Sequence, residues 1–212
     1  MIAASWLCWP TTALGRQLVP LEQVRGADTV WVLVSAMLVL LMTLPGIALF
    51  YAGMVRRKNV VNTLAAVLGS TCVVCVLWFA IGYELAFGTG NGWIGLPQYG
   101  GLETFFAGLD YQIDNQQVAV HAAAPYLPEA AYAGFQMTFA VLTAALIVGA
   151  VVERMRFGAL MLFMALWTLV VYVPVAHWVW EPSGWLARMG ALDFAGGAVV
   201  HVNAGAAGLA CS

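Results

Sequence analysis

The sequence predicts an all-α integral membrane protein with five helices crossing the bilayer. Three observations carry that prediction. Apolar residues make up 63% of the 212 positions and charged residues 8%, against roughly 45–50% and 25% in a soluble domain. The apolar residues gather in runs of about 20, the length that spans hydrocarbon as a helix. Basic residues gather between those runs and not within them. A net charge of −2 offers no basic surface of the kind nucleic acid needs.

Residues 1–27 open with MIAASWLCWPTTALGRQLVP. They lack the basic start of a secretory signal and read as a leader or an exposed tail. Residues 28–212 read as one transmembrane domain. Its first span runs from Thr29 to Val55. Pro45-Gly46 lies in its second half, where a kink is expected. The second span is Asn59 to Tyr83, the third Ala130 to Val152 and the fourth Phe157 to Trp180. The fifth is Phe194 to Ser212, interrupted only by His201.

The loops orient the spans. Arg56, Arg57 and Lys58 separate spans one and two, and Arg154 and Arg156 separate spans three and four. Those loops hold five of the eight basic residues. The loop between spans two and three has no Lys or Arg, but carries Glu103, Asp110, Asp114 and Glu129. The positive-inside rule places both basic loops in the cytoplasm. The protein is then a multi-pass protein of the cell (inner) membrane with its N-terminus outside. The long acidic loop should cover part of the outer face, with Trp93, Phe105, Phe106 and Tyr111 as interfacial candidates. Glu84, at the outer end of span two, is expected to reach headgroup water. Cys72 and Cys75 have the spacing of a redox or metal pair, but within an apolar helix they read as small packing residues. No cofactor or metal is expected, and no hydrolase motif points to an enzyme.

Ionisable residues deep in a membrane are functional candidates. His201 is the foremost. Eight residues beyond Asp193, at about 1.5 Å each, put it roughly 12 Å deep. A neutral imidazole there donates at one nitrogen and accepts at the other. It could line a pore or relay a proton, or it could simply bond a neighbouring helix. Asp193 opens the fifth helix and can cap its first amides, while biasing the outer vestibule toward cations. Phe135, about one turn into span three, and Trp180, ending span four, both fall near the outer surface. An aromatic belt explains either. Together they could hold a small cation against their ring faces, for roughly 0.5–2 kcal/mol. His177 reads as an interfacial packing residue, and His121 carries no signal.

Four stretches resemble the ammonium transporters of the Amt/MEP/Rh superfamily, on the Amt side. They are PGIALFYAGMVRRKN (Pro45 to Asn59), FQMTFAVLTAALIVGAVVERMRF (Phe135 to Phe157), YVPVAHWVW (Tyr172 to Trp180) and DFAGGAVVHVNAGAAGLA (Asp193 to Ala210). The resemblance implies that Phe135 and Trp180 form part of an outer recruitment site. It makes Phe139 a further pore-facing residue and His201 the first of a pair of pore histidines. Asp193 becomes the signature acid, acting mainly through structure. Trp180 places the chain nearer Amt than Rh proteins. Glu84 stands where a small polar residue is the family habit.

The implied mechanism is ammonium transport. The cation is recruited at the aromatic site and gives up a proton. Ammonia then passes the histidine, which helps relay the proton. Methylammonium would serve as an analogue, and potassium, with no proton to release, is rejected. Family members are homotrimers in the bilayer, many with a PII-type signalling protein on the cytoplasmic face. They have about eleven spans, in two repeats of opposite topology plus a final helix. The chain then reads as a first repeat cut short, expected not to conduct alone. An ammonium sensor domain and a non-conducting fragment are the alternative readings.

Overall fold

The third apolar run forms the axis of the molecule. It folds as helix α3 (Glu129–Val151), and 61% of its most apolar stretch is buried. Packed around it are α1 (Gly26–Met54), α2 (Arg57–Phe87) and, in contact with α2, α4 (Phe157–Arg188). A shorter apolar helix, α5 (Gly197–Cys211), lies against α3 as well. The structure is a computed structural model that describes residues 16–97 and 117–212. Phe105, Phe106, Tyr111 and the acids at 103, 110 and 114 lie outside the described residues, as does the start of the expected leader or tail.

Alanine, glycine and threonine on α3 let the neighbouring backbones approach closely. Ala140, Val141, Ala144, Ala145, Ile147 and Val148 are all essentially inaccessible. The Tyr51 ring of α1 rests directly on Gly149, where any Cβ would overlap it. Its hydroxyl donates to the Leu146 carbonyl at 3.0 Å. Trp78 of α2 is fully buried and donates its indole N–H to the Ala133 carbonyl at 3.1 Å. By contrast, only 11% of the apolar stretch of α1 is buried, leaving large apolar side chains such as Trp31 and Phe50 on the outside.

Among the described residues four helices are long and apolar enough to cross a membrane, and the fifth run forms the shorter apolar helix α5. Gly196 adopts φ +77°, and helix begins only at Gly197. Asp193 to Gly196 form an approach to it, with Phe194 93% exposed. The break expected at Pro45 takes the form of a wider, π-type stretch over Met42–Ile47. Proline has no N–H for the helical ladder, so the turn around it expands.

The membrane part is all-α, as predicted, but one end carries a three-stranded antiparallel sheet that was not. Its strands are β1 (Arg16–Pro20), β2 (Gln117–His121) and β3 (Ala124–Pro128), in the order β1-β2-β3. The segment read as leader or tail thus supplies a strand, from Arg16 onward. At the opposite end the two basic loops meet. The Glu153 carboxylate accepts from the Arg56 backbone N–H at 3.1 Å and the Asn59 amide at 2.6 Å. Glu153 sits at φ +70°, a conformation non-glycine residues rarely take. The Asn59 and Arg56 bonds hold its carboxyl below the usual range.

Candidate functional site

Helices α3 and α4 bring three aromatic rings together near the hairpin end. Phe135 and Phe139 are one turn apart on α3, so they share a face. Their rings meet edge to face, with centroids 5.0 Å apart. Phe139 then meets Trp180 of α4 at 5.6 Å and 65°. All three are half-buried. The sequence singled out Phe135 and Trp180 as partners and ranked Phe139 behind them. The structure makes Phe139 the ring that joins the other two.

Asp193 fastens this group to α5. Its backbone carbonyl accepts the Trp180 indole N–H at 2.7 Å. Its carboxylate accepts three amides of the opening turn, from Gly197 at 2.6 Å and from Ala198 and Val199 at 2.9 Å each. A carboxylate on the free amides of a helix start is stabilised by hydrogen bonds and by the helix dipole. The left-handed φ of Gly196 makes this wrap possible, and a Cβ there would press on the Val200 side chain beside the Trp180 ring. The same Gly196 carbonyl faces Nδ1 of His201 at 3.1 Å. A carbonyl only accepts, so Nδ1 carries the proton in the neutral ring. Nε2 is left with its lone pair on an exposed side chain. Trp180, Asp193 and His201 thus belong to one hydrogen-bonded unit.

The profile of the Ammonium Transporter Family matches residues 30–212. This chain belongs to the ammonium transporter family. It is 49% identical to an ammonium transporter of Bacillus subtilis over 182 residues, covering 86% of the chain and 42% of that protein. It is 47% identical over 188 residues to a putative ammonium transporter of Methanothermobacter thermautotrophicus, covering 88% of the chain and 43% of that relative. The chain spans about two fifths of the length of the curated relatives it matches. Among solved structures, Candida albicans Mep2 superposes with a TM-score of 0.76 at 37% identity, over 91% of the chain and 40% of Mep2. A structure described as a sensor Amt protein superposes with a TM-score of 0.65 at 26% identity, over 82% of the chain and 40% of that protein.

Several residues of this family member were misread or passed over in the sequence. Glu84 does not reach headgroup water: it is 3% exposed. Glu129 and Glu181 are equally buried. Glu129 accepts from the Tyr83 hydroxyl at 3.2 Å. His121 is fully enclosed, stacked on Tyr132 with centroids 5.1 Å apart. Its Nε2 faces Phe87 O at 3.0 Å and Glu181 Oε2 at 3.3 Å.

His177, read as an interfacial packing residue, does more than pack. It is inaccessible, and both ring nitrogens lie 2.8 Å from carbonyl oxygens, those of Ala86 and Asn91. It fastens the outer end of α2 and the segment beyond it to α4. His177→Phe leaves two carbonyls without these partners and is expected to cost about 2–4 kcal/mol. A fall in the thermal midpoint in detergent, reduced in His177→Asn relative to His177→Phe, checks this. Equal stability of His177→Phe and the parent would refute it.

Proposed function

We propose that this chain forms the first repeat of an ammonium transporter and supplies one wall of its conduction path. The observation that carries the reading is the unit running from Trp180 through Asp193 to His201. It connects an aromatic cluster near one membrane face to an imidazole on a helix of small residues. Family membership supports ammonium as the substrate. Burying an unpaired ammonium ion in hydrocarbon costs many kcal/mol. In the proposed cycle Phe135, Phe139 and Trp180 replace part of its hydration through their ring faces. The cation gives up its proton to water beside Phe139, and neutral ammonia moves on. His201 offers its Nε2 to ammonia and shares in the proton relay, while Asp193 holds the unit in shape. The path is completed by a second repeat of opposite topology, with α5 as the fifth crossing of the first.

The basic loops clasped by Glu153 lie in the cytoplasm, and the sheet and N-terminus outside, of the inner membrane in a bacterial setting. Cysteines introduced at Arg57 and Met155 should be labelled by an impermeant maleimide only from the cytoplasm, and one at Ala122 only from outside. Reversal at any of the three would sink the orientation. The assembled protein is a homotrimer with a PII-type protein as a cytoplasmic partner, both expectations from the family.

The functional test is ion selectivity in the chain joined to the second half of the Bacillus subtilis relative. Methylammonium uptake should be suppressed by ammonium and unaffected by a hundredfold excess of potassium, an excess chosen to exceed affinity differences of about 2.7 kcal/mol. Equal suppression by potassium would rule out the deprotonation route. The likeness to a sensor Amt protein supports a second reading, an ammonium-sensing domain. Binding without any transport in the joined protein would favour it.

A further inference from the structure

The outer end of the fold buries a histidine and a carboxylate that the transport route does not use. Glu181 follows Trp180 directly in the chain, so their Cα atoms are about 3.8 Å apart. It is 4% exposed. Its carboxylate partners are His121 Nε2 at 3.3 Å and, more weakly, the Ser183 hydroxyl at 3.5 Å. Hydrogen bonding fixes the state of His121. The Ala123 backbone N–H donates to Nδ1 at 3.1 Å, so Nδ1 holds a lone pair. The proton of the neutral ring is then on Nε2, which donates to Phe87 O at 3.0 Å with Glu181 Oε2 alongside at 3.3 Å. In this neutral form His121 sits against the carboxylate without cancelling its charge.

We propose that Glu181, held under the outer sheet by His121, is the positioning residue that sets how tightly the outer aromatic site holds its cation. The inference rests on the transport reading for the identity of that cation. A buried negative charge next to Trp180 is screened far less than one in headgroup water. Protonation of His121 would cancel that charge and displace the Ala123 N–H at the β2–β3 turn. The groups around His121 are Glu181 from the end of α4, Glu129 and Tyr132 from α3, and Phe87 O from α2. Tyr83 and Glu84 of α2 complete the buried cluster. Burial opposes a proton on His121, but Glu181 and Glu129 outweigh it, and its pKa stands above the ordinary histidine value. Acidification outside the cell should therefore weaken cation binding.

The test is binding of carbon-13 methylammonium to the 212-residue chain in lipid nanodiscs, read by line broadening. Spans α3 and α4 are both present, so no transport is needed. Trp180→Leu should abolish the binding and so identify the site. Glu181→Gln should raise the half-saturating concentration about tenfold, the scale expected for losing one nearby charge in a partly screened site. Glu181→Asp, which keeps the charge, should stay near the parent. In the parent the half-saturating concentration should rise as pH falls through the His121 titration. In His121→Gln that rise should vanish. Unchanged affinity in Glu181→Gln, a pH profile untouched by His121→Gln, or no binding to the parent chain would each overturn the proposal. Should Glu181→Gln fail to fold, Glu181→Asp and the pH profile still decide. Uptake by the joined protein reports separately on the transport reading.

Discussion

Cells whose only ammonium transport protein is the 212-residue chain should take up no methylammonium above background. Joining the chain to the second half of a close relative should restore uptake. In an inverted-repeat fold the substrate passes between the repeats, near the membrane midplane. The helix that carries His201 here has an open face. His201 is exposed, Val202 is 69% exposed and Leu209 79%. An imidazole on that face has lipid or stray water beside it, not a lined path. A second copy does not close the path. Both copies obey the same distribution of basic loops and so insert the same way round, whereas the missing wall must be inverted. The rescue should depend on His201. His201→Leu in the joined protein is expected to return uptake to background, because Leu offers ammonia no hydrogen bond and relays no proton. Expression in the membrane is checked by immunoblotting of washed membranes. Robust uptake by the unmodified chain would overturn the argument, and so would full uptake by His201→Leu.

The membrane part of this fold was legible because its signals are local. Four of the five runs stand out by hydropathy alone, and the basic loops mark one end. Asp193 was legible as a cap because it precedes a helix of small residues. The start of that helix was not, since the left-handed turn at Gly196 leaves no mark in hydropathy. Phe139 was visible as a neighbour of Phe135 through its spacing of four. Which of the two meets Trp180 depends on how α3 crosses α4, and spacing does not encode that. Glu84 was misread, and the burial of Glu129 and Glu181 passed over, for a similar reason. A glutamate at the end of an apolar run looks the same whether headgroup water or a folded loop lies above it. At Glu84, Glu129 and Glu181 the outer sheet and the crowded helix ends decide. They do so through contacts far apart in sequence, such as His121 with Phe87 and His177 with Ala86.

Asp193→Ala should remove both the shape of the outer site and transport, and Asp193→Asn should keep part of the first. The side chain accepts three backbone N–H groups, and charge-assisted caps of this kind contribute about 1–2 kcal/mol or more each way they are measured. Alanine leaves those amides unmet at a helix start that other elements partly cover. Gly196 then has no reason to hold its left-handed turn. Two consequences follow at a distance. The Asp193 carbonyl moves, and with it the acceptor of the Trp180 indole N–H. The Gly196 carbonyl moves too, releasing Nδ1 of His201 and the tautomer it selects. One substitution therefore acts on both ends of the proposed path. Asparagine can accept at one oxygen but carries no charge to meet the helix dipole, so it restores the turn more than the rate. In the joined protein, uptake should fall to background for Asp193→Ala and at least about tenfold for Asp193→Asn, a loss of about 1.4 kcal/mol in the transport barrier. Near-ultraviolet circular dichroism should show the Trp180 environment altered in the alanine variant and largely kept in the asparagine variant. If Asp193→Ala transports at the parent rate with an unchanged tryptophan signal, the unit linking Trp180 to His201 has no part in conduction.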